Sequence, residues 1–144
     1  MKDFRNLIEY LEANDKIVQI HKEVDPEYEL TEVAKQAFDK FHKAVLFDKV
    51  KDSKFPVISY ALPDRETIAA GLNMDQKDMV KEWSSREANR SPYTLVEKGA
   101  ANEVVDLDPN LFELPLGIHS QDNGGKYITG GIIIAKHPEL DMQN

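Results

Sequence analysis

The sequence predicts an α+β fold, a small mixed sheet flanked by helices. Two stretches place apolar residues at helical spacing, and short β-rich runs of strand length alternate with them. Pro, Gly, Asn and Asp punctuate the boundaries between the two kinds of segment. The 144 residues suffice for one domain with a core, or for one domain and a piece of another.

Phe4, Leu7, Ile8 and Leu11 fall at i, i+3, i+4 and i+7, one apolar stripe, and Asp3 offers an oxygen to the orphan N–H groups at the helix start. Asn14-Asp15 ends this helix as a turn. Ile17 to Ile20 predicts a short strand, which His21 to Val24 can extend. Asp25-Pro26 is expected to open the second helix, because Pro suits the first helical position, where no N–H is needed. Leu30, Val33, Ala34, Ala37, Phe38 and Phe41 form its stripe. Glu27, Glu29 and Glu32 sit early and Lys40 and Lys43 late, as the helix dipole favours. Ala44 to Phe47 and Pro56 to Tyr60 predict strands apolar on both faces, with a charged surface loop over 49–54 between them. Asp64 to Thr67 opens a third helix that turns Ile68, Ala69 and Leu72 inward and breaks at Asn73. Asp75 caps a fourth, carrying Met79, Val80 and Trp83. The polar stretch 84–92 is expected to be mostly loop, with room for the fourth helix to run a turn further.

Short strands are expected over 93–97 and 103–107, around a turn at 99–102, followed by one capped helical turn at 108–112. Residues 121–125 form a turn cluster. Tyr127 to Ala135 predicts an apolar strand interrupted by Gly130-Gly131, and glycines inside a strand mark a bulge or a close approach to the backbone. A lone strand cannot satisfy its own N–H and C=O groups, so 127–135 must join the earlier sheet or find a partner elsewhere.

Composition removes several classes of function. Without cysteine there is no disulfide scaffold and no thiolate metal site. A net charge of −8 gives no bulk attraction for nucleic acid or anionic membrane. No apolar run approaches the length of an integral membrane span, and Met1 to Arg5 lacks a signal-peptide core, so a cytoplasmic protein is expected.

Motif spacing alone names no chemistry. His21, His42, His119 and His137 fit no HExxH or H-x-H pattern, no serine lies in a G-x-S-x-G elbow, and the glycine pairs at 124–125 and 130–131 match no phosphate loop. His21 and His42 are expected on the surface or flanking helices. His119, between Leu116-Gly117-Ile118 and the glycine-rich turn, is the most informative of the four, with a structural or solvent-facing role expected. Residues 97–113 hold five acids and one Lys, which predicts a solvated face.

The order of segments says more. Asp3-Phe4-Arg5-Asn6-Leu7-Ile8-Glu9-Tyr10-Leu11-Glu12, Ile17 to Ile20, and Glu23-Val24-Asp25-Pro26-Glu27-Tyr28-Glu29-Leu30 resemble the opening of UbiD-family decarboxylases. Ala44 to Val50, Phe55-Pro56-Val57 and Asp64 to Leu72 follow in the family's order. The closest match, Gly124 to Pro138, resembles the segment that enters the family's flavin-binding split β-barrel. Lys126 stands where the family often has Pro, and Ser59 to Pro63 is an unusual version of its loop.

The resemblance implies a reversible, non-oxidative decarboxylase acting on aromatic or α,β-unsaturated carboxylic acids. It implies prenylated FMN, Mn²⁺ (or Mg²⁺) and K⁺ as cofactors, a small-molecule carboxylic acid as substrate, and a homo-oligomer at full length. Met142-Gln143-Asn144 is similar to the start of a family segment whose Asn ligates the metal beside the flavin phosphate, so Asn144 is the expected metal-ligating and cofactor-binding residue. An amide oxygen is a neutral hard donor suited to such an ion. The family's other metal ligands and its acid–base groups lie beyond position 144, so no catalytic residue is expected here. By itself the chain is expected to bind no cofactor and to show no turnover. The implied organisation is an N-terminal α/β domain over 1–107, then a linker and the first strand of the split barrel over 108–144. The alternative is a non-catalytic binding or assembly domain that pairs its C-terminal strand with a partner.

Overall fold

The structure, a computed structural model, describes residues 1, 3–89, 91, 94–99, 102–140 and 142. Helix α1 spans Phe4–Ala13, and Asp3 caps it by accepting the Asn6 N–H at 2.9 Å. Its stripe delivers Leu11 to a position with no solvent exposure. The backbone reverses at Asp15 (φ 54°), and strand β1 follows over Ile17–Ile20.

Helix α2 spans Glu29–Phe41 and begins three residues later than Asp25-Pro26 suggested. Asp25 folds its own turn instead. Its carboxylate accepts the Glu27 N–H (2.9 Å), its carbonyl accepts from Leu30 (3.0 Å), and its N–H donates to the Glu29 carboxylate (2.8 Å). Tyr28 takes a left-handed conformation (φ 69°), and its N–H donates to the Ile118 carbonyl (3.0 Å) rather than into a helix. His42, also left-handed, ends α2.

Helix α2 is the crossover that lets β1 lie parallel to β2 (Ala44–Phe47). Ile17 pairs with Ala44 and Ile20 with Phe47. Strand β3 (Val57–Ser59) lies antiparallel on the other side of β2, with Phe47 opposite Val57. The sheet order is therefore β1-β2-β3, a mixed sheet flanked by helices as expected. The strand does not extend through His21. Val24 instead pairs singly with Val50, and this buries Val50 within the otherwise charged loop. Val24, Leu30, Ala34, Ala37, Val45, Phe47 and Val50 form the core.

Helix α3 (Arg65–Gly71) is capped by Asp64, and Asn73 leaves it with φ 52°. Asp75 caps a 3-10 turn, Gln76–Asp78, that leads into α4 (Met79–Ala88). Helix α4 runs on to Ala88, the further turn past Ser84 that the sequence allowed, and it has no buried residue. Arg86 reaches back from it to the carbonyls of Leu72 (2.6 Å) and Asn73 (3.3 Å).

The expected strands at 93–97 and 103–107 do not form among the described residues; Tyr93 lies outside them. Val104 and Val105 are exposed, and among the described residues this run pairs with no strand of the β1-β2-β3 sheet. The helical turn expected at 108–112 is a 3-10 turn at Leu111–Glu113, capped by Asn110. Residues 127–135 form no strand and do not join the three-stranded sheet. Their isoleucines face solvent, with Ile132 89 % exposed.

Candidate functional site

The chain downstream of α4 returns to the domain at 115–119. Ile118 is fixed from both sides: its N–H donates to the Pro26 carbonyl (3.3 Å) and its carbonyl accepts from Tyr28 (3.0 Å). Gly117 permits this approach, since a Cβ there would sit 3.1 Å from the Pro26 oxygen. Ser53 Oγ donates to the Glu113 carbonyl (3.1 Å), and the Lys54 ammonium lies 2.9 Å from the Glu113 carboxylate.

This return path and the faces of α1, α2 and β3 enclose an open cleft of about 860 Å³. Leu7, Leu30, Ala34, Val57 and Leu62 make its walls apolar. The stacked pair Phe38 and Tyr60, centroids 4.2 Å apart, stands at the β3 side. The polar centre is made by Thr31, His119 and Tyr127. Thr31 Oγ1 and His119 Nδ1 are 2.9 Å apart in a partly buried contact, and the His119 and Tyr127 ring centroids are 5.1 Å apart, tilted by 53°. A neutral imidazole that accepts the Thr31 hydroxyl at Nδ1 carries its proton on Nε2.

On the opposite side of the 26–28 turn, Asp25 and Lys51 pair at 2.7 Å. The Lys51 hydrogen bond, with the Glu27 N–H second, holds the Asp25 carboxyl below its ordinary range, and the Asp25 carboxylate holds the Lys51 ammonium above its own.

Of the residues singled out in the sequence, His119 lines the cleft and meets Thr31 there. His21 is exposed and pairs with Asp48 at 2.7 Å, and that contact holds the Asp48 carboxyl low. His42 closes α2 and meets the Phe38 ring edge-on. His137 Nδ1 accepts from the N–H groups of Glu139 (3.1 Å) and Leu140 (3.0 Å), a local turn. Asn144, the expected metal-ligating and cofactor-binding residue, lies outside the described residues. Thr31 carried no motif, and Tyr127 stood out only as part of the run Gly124 to Pro138. One signal was present: Thr31, Ala34 and Phe38 share a helical face, and a hydroxyl on a largely apolar face needs a partner.

Among the described residues no group of three or more His, Cys, Asp or Glu side chains is placed to hold a metal ion. The cleft lining contains no Lys or Arg to meet a flavin phosphate. By itself this cleft therefore fits neither a divalent ion nor FMN. No helix among them is long and apolar enough to cross a membrane.

The family model for the N-terminal domain of 3-octaprenyl-4-hydroxybenzoate carboxy-lyase matches residues 8–87. The chain is similar to a phenolic acid decarboxylase of Sedimentibacter hydroxybenzoicus, 31% identical over 150 residues that cover 96% of this chain and 31% of the relative. It is also similar to an anhydromevalonate phosphate decarboxylase of Methanosarcina mazei, 30% identical over 134 residues covering 93% of this chain and 30% of the relative. Its backbone superposes on an evolved dimeric form of the UbiD-class enzyme HmfF from Pelotomaculum thermopropionicum in complex with prFMN. The TM-score is 0.87 at 30% identity, over 97% of this chain and 33% of that one. The chain spans about a third of the length of the relatives it matches.

Proposed function

This chain belongs to the UbiD family, as its N-terminal domain and the segment after it, and we propose that at the length of its relatives the protein is a reversible, non-oxidative decarboxylase. Its substrates are aromatic or α,β-unsaturated carboxylic acids, and its chemistry is supplied by prenylated FMN with Mn²⁺ (or Mg²⁺) and K⁺. The supporting observation is the match of fold and sequence together, over 97% of the chain, to a UbiD-class enzyme in complex with prFMN. On this reading residues 1–107 are the N-terminal domain, and 108–144 are the linker and the opening strand of a flavin-binding split barrel. Asn144 contributes its amide oxygen to the metal beside the flavin phosphate. The assembled protein is a cytoplasmic homo-oligomer.

Within this scheme the residues of the chain hold and aim. The three-stranded sheet and α2 form the rigid body, and the Pro26–Ile118–Tyr28 backbone bonds seat the downstream segment on it. Prenylated FMN, when bound, would supply an electron sink, and protein groups would supply position and charge. The 144 residues alone are expected to be inactive.

The test is reconstitution of the protein at the length of its relatives with prenylated FMN and Mn²⁺, followed by isotopic CO2 exchange on a panel of aromatic and acrylic acids. Exchange by that protein and none by the 144-residue chain is the expected result. No exchange, together with no flavin-like absorbance, overturns the reading.

A second reading draws on Ile132, Ile133 and Ile134, which are 89, 80 and 72 % exposed. A non-catalytic assembly domain would use this segment to add a strand to a partner's sheet. Such a domain shows partner-dependent protection of 127–135 and no flavin binding at any length.

A further inference from the structure

We propose that Thr31, His119 and Tyr127 form a latch that sets the direction in which residues 120–135 leave the domain, which makes Thr31 and His119 positioning residues. The functional value of that direction rests on the decarboxylase reading, since the latched segment leads to Asn144. The latch itself consists of contacts that stand without that reading.

Three separate parts of the fold meet at one ring. Thr31 belongs to the first turns of α2, beside the core residues Leu30 and Ala34, so its position is fixed by the rigid body of the domain. A partly buried hydroxyl on that face needs a hydrogen-bond partner, and His119 Nδ1 supplies it at 2.9 Å. The neighbouring Ile118 is held by two backbone bonds, to Pro26 and from Tyr28. The imidazole is therefore anchored at its backbone and at Nδ1 together, which removes its freedom to rotate. It presents its ring to Tyr127 eight positions later in a tilted contact of 5.1 Å. Tyr127 in turn closes the intervening turn, because the Asn123 amide donates to its hydroxyl at 3.4 Å. Among the described residues, 127–135 lie in no sheet, so side-chain contacts of this kind take over the orienting work that a ladder does elsewhere.

The test uses the 144-residue chain and reads the segment directly. Lys126 precedes Tyr127 on exposed chain, so the rate of tryptic cleavage after Lys126 reports release of the latch. Thr31→Val removes the hydroxyl at nearly constant shape, His119→Phe keeps a ring but loses Nδ1, and Thr31→Ser keeps the hydroxyl. Loss of a net hydrogen bond of this kind corresponds to about a fivefold rise in local opening. Both Thr31→Val and His119→Phe are expected to accelerate cleavage after Lys126 by about that factor. Cleavage after Lys98, in the exposed stretch beyond α4, is expected to stay unchanged, and Thr31→Ser to restore the wild-type rate. The ¹⁵N shifts of His119 in the neutral ring are expected to show a single tautomer in wild type and in Thr31→Ser, since the Thr hydroxyl pairs with Nδ1 as donor or as acceptor, and a tautomer mixture in Thr31→Val.

Unchanged cleavage after Lys126 in both His119→Phe and Thr31→Val overturns the latch. So does a Thr31→Ser variant that behaves like Thr31→Val. If Thr31→Val fails to fold, His119→Phe and the wild-type tautomer decide the matter. In the protein at the length of its relatives, Thr31→Val is expected to lower kcat and flavin retention with KM nearly constant. A wild type without CO2 exchange sinks the decarboxylase reading, and the latch is then judged on cleavage and tautomer alone.

Discussion

The Lys16 ammonium lies 2.6 Å from the Asp64 carboxylate, 48 positions further along the chain, and it ties the entry to β1 to the start of α3. Asp64 also accepts both the Thr67 N–H and the Thr67 hydroxyl at 2.8 Å, and Thr67 is wholly buried. One carboxylate therefore caps a helix, satisfies a buried hydroxyl and anchors a cation. Asp64→Ala removes all three and is expected to cost about 2–3 kcal/mol. Asp64→Asn keeps a capping oxygen and loses only the charge. Since the Asp64 side chain is 40% exposed, solvent screening limits that loss to about 1 kcal/mol or less. Urea denaturation of the two variants checks the difference. Equal midpoints would show that the cap and the Thr67 bond contribute nothing.

The same residue sets a pH dependence. Burial pushes the Asp64 carboxyl up, but the Lys16 hydrogen bond and the two Thr67 donors outweigh it and hold the carboxyl below its ordinary 3.8. A depressed folded value means that the unfolded chain binds more protons in the window between the two, so stability rises with pH there. The contribution is complete above 3.8 and is lost as the pH falls through the lowered folded value. Asp25, held low first by Lys51, and Asp48, held low first by His21, act in the same sense. Lys16 works in the opposite limb. Its hydrogen bonds to Asp64 and then Glu66 raise it above 10.5, so its contribution is present below that value and lost as the pH rises through the raised one. Urea midpoints from pH 2 to 6 are expected to fall on acidification, less steeply in Asp64→Asn than in wild type.

Arg86 joins α4 to the end of α3 through two carbonyls, one of them at 2.6 Å. Charge-assisted bonds to orphan carbonyls at a helix C-terminus stabilise it. Helix α4 buries no residue of its own, so Arg86→Ala is expected to loosen α4 while the sheet stays intact. Hydrogen exchange checks this: protection over 79–88 is expected to fall several-fold, and that over 44–47 to stay unchanged.

Phe47 has no solvent exposure and packs in the cluster with Leu30, Ala34, Val45 and Val50. Phe47→Ala leaves a cavity that β2 cannot close, because β2 is paired on both edges, and is expected to cost about 3–5 kcal/mol. That is a large share of the stability of a small domain, about 5–15 kcal/mol. Circular dichroism with temperature is expected to show a broad, early transition.

Local chemistry explains which parts of this fold were legible in the sequence. Asp3 read correctly as a cap because a cap needs only a short side chain and the next N–H groups, whereas Asp75 caps the 3-10 turn before α4 and not α4 itself. The stripe through Leu30, Ala34 and Ala37 read correctly because helical spacing is local. The start of α2 did not, because Asp25-Pro26 serves equally as a helix opening and as an Asx turn. The choice was made by Ile118, some ninety residues away, which takes the Tyr28 N–H. The runs at 103–107 and 127–135 have β propensity, but propensity supplies no partner edge. At the candidate site His119 stood out by its setting, whereas Thr31 became meaningful only when the chain's return brought the imidazole to it.

The same contrast governs the last prediction. Ile132 and Ile134 are 89 and 72 % exposed, outside any sheet, so they add little to the folded domain while leaving apolar surface in water. The double substitution Ile132→Lys with Ile134→Lys is expected to leave the unfolding free energy within about 0.5 kcal/mol of wild type, since both side chains are mostly exposed. It is expected to lower hydrophobic-dye binding and concentration-dependent association sharply, because two charges now sit where a second strand would pair. Light scattering and dye fluorescence on the 144-residue chain measure both. A large loss of stability would mean that these side chains pack within the chain. Unchanged dye binding would move the sticky surface to Leu107 and Phe112, each 92 % exposed on the preceding stretch.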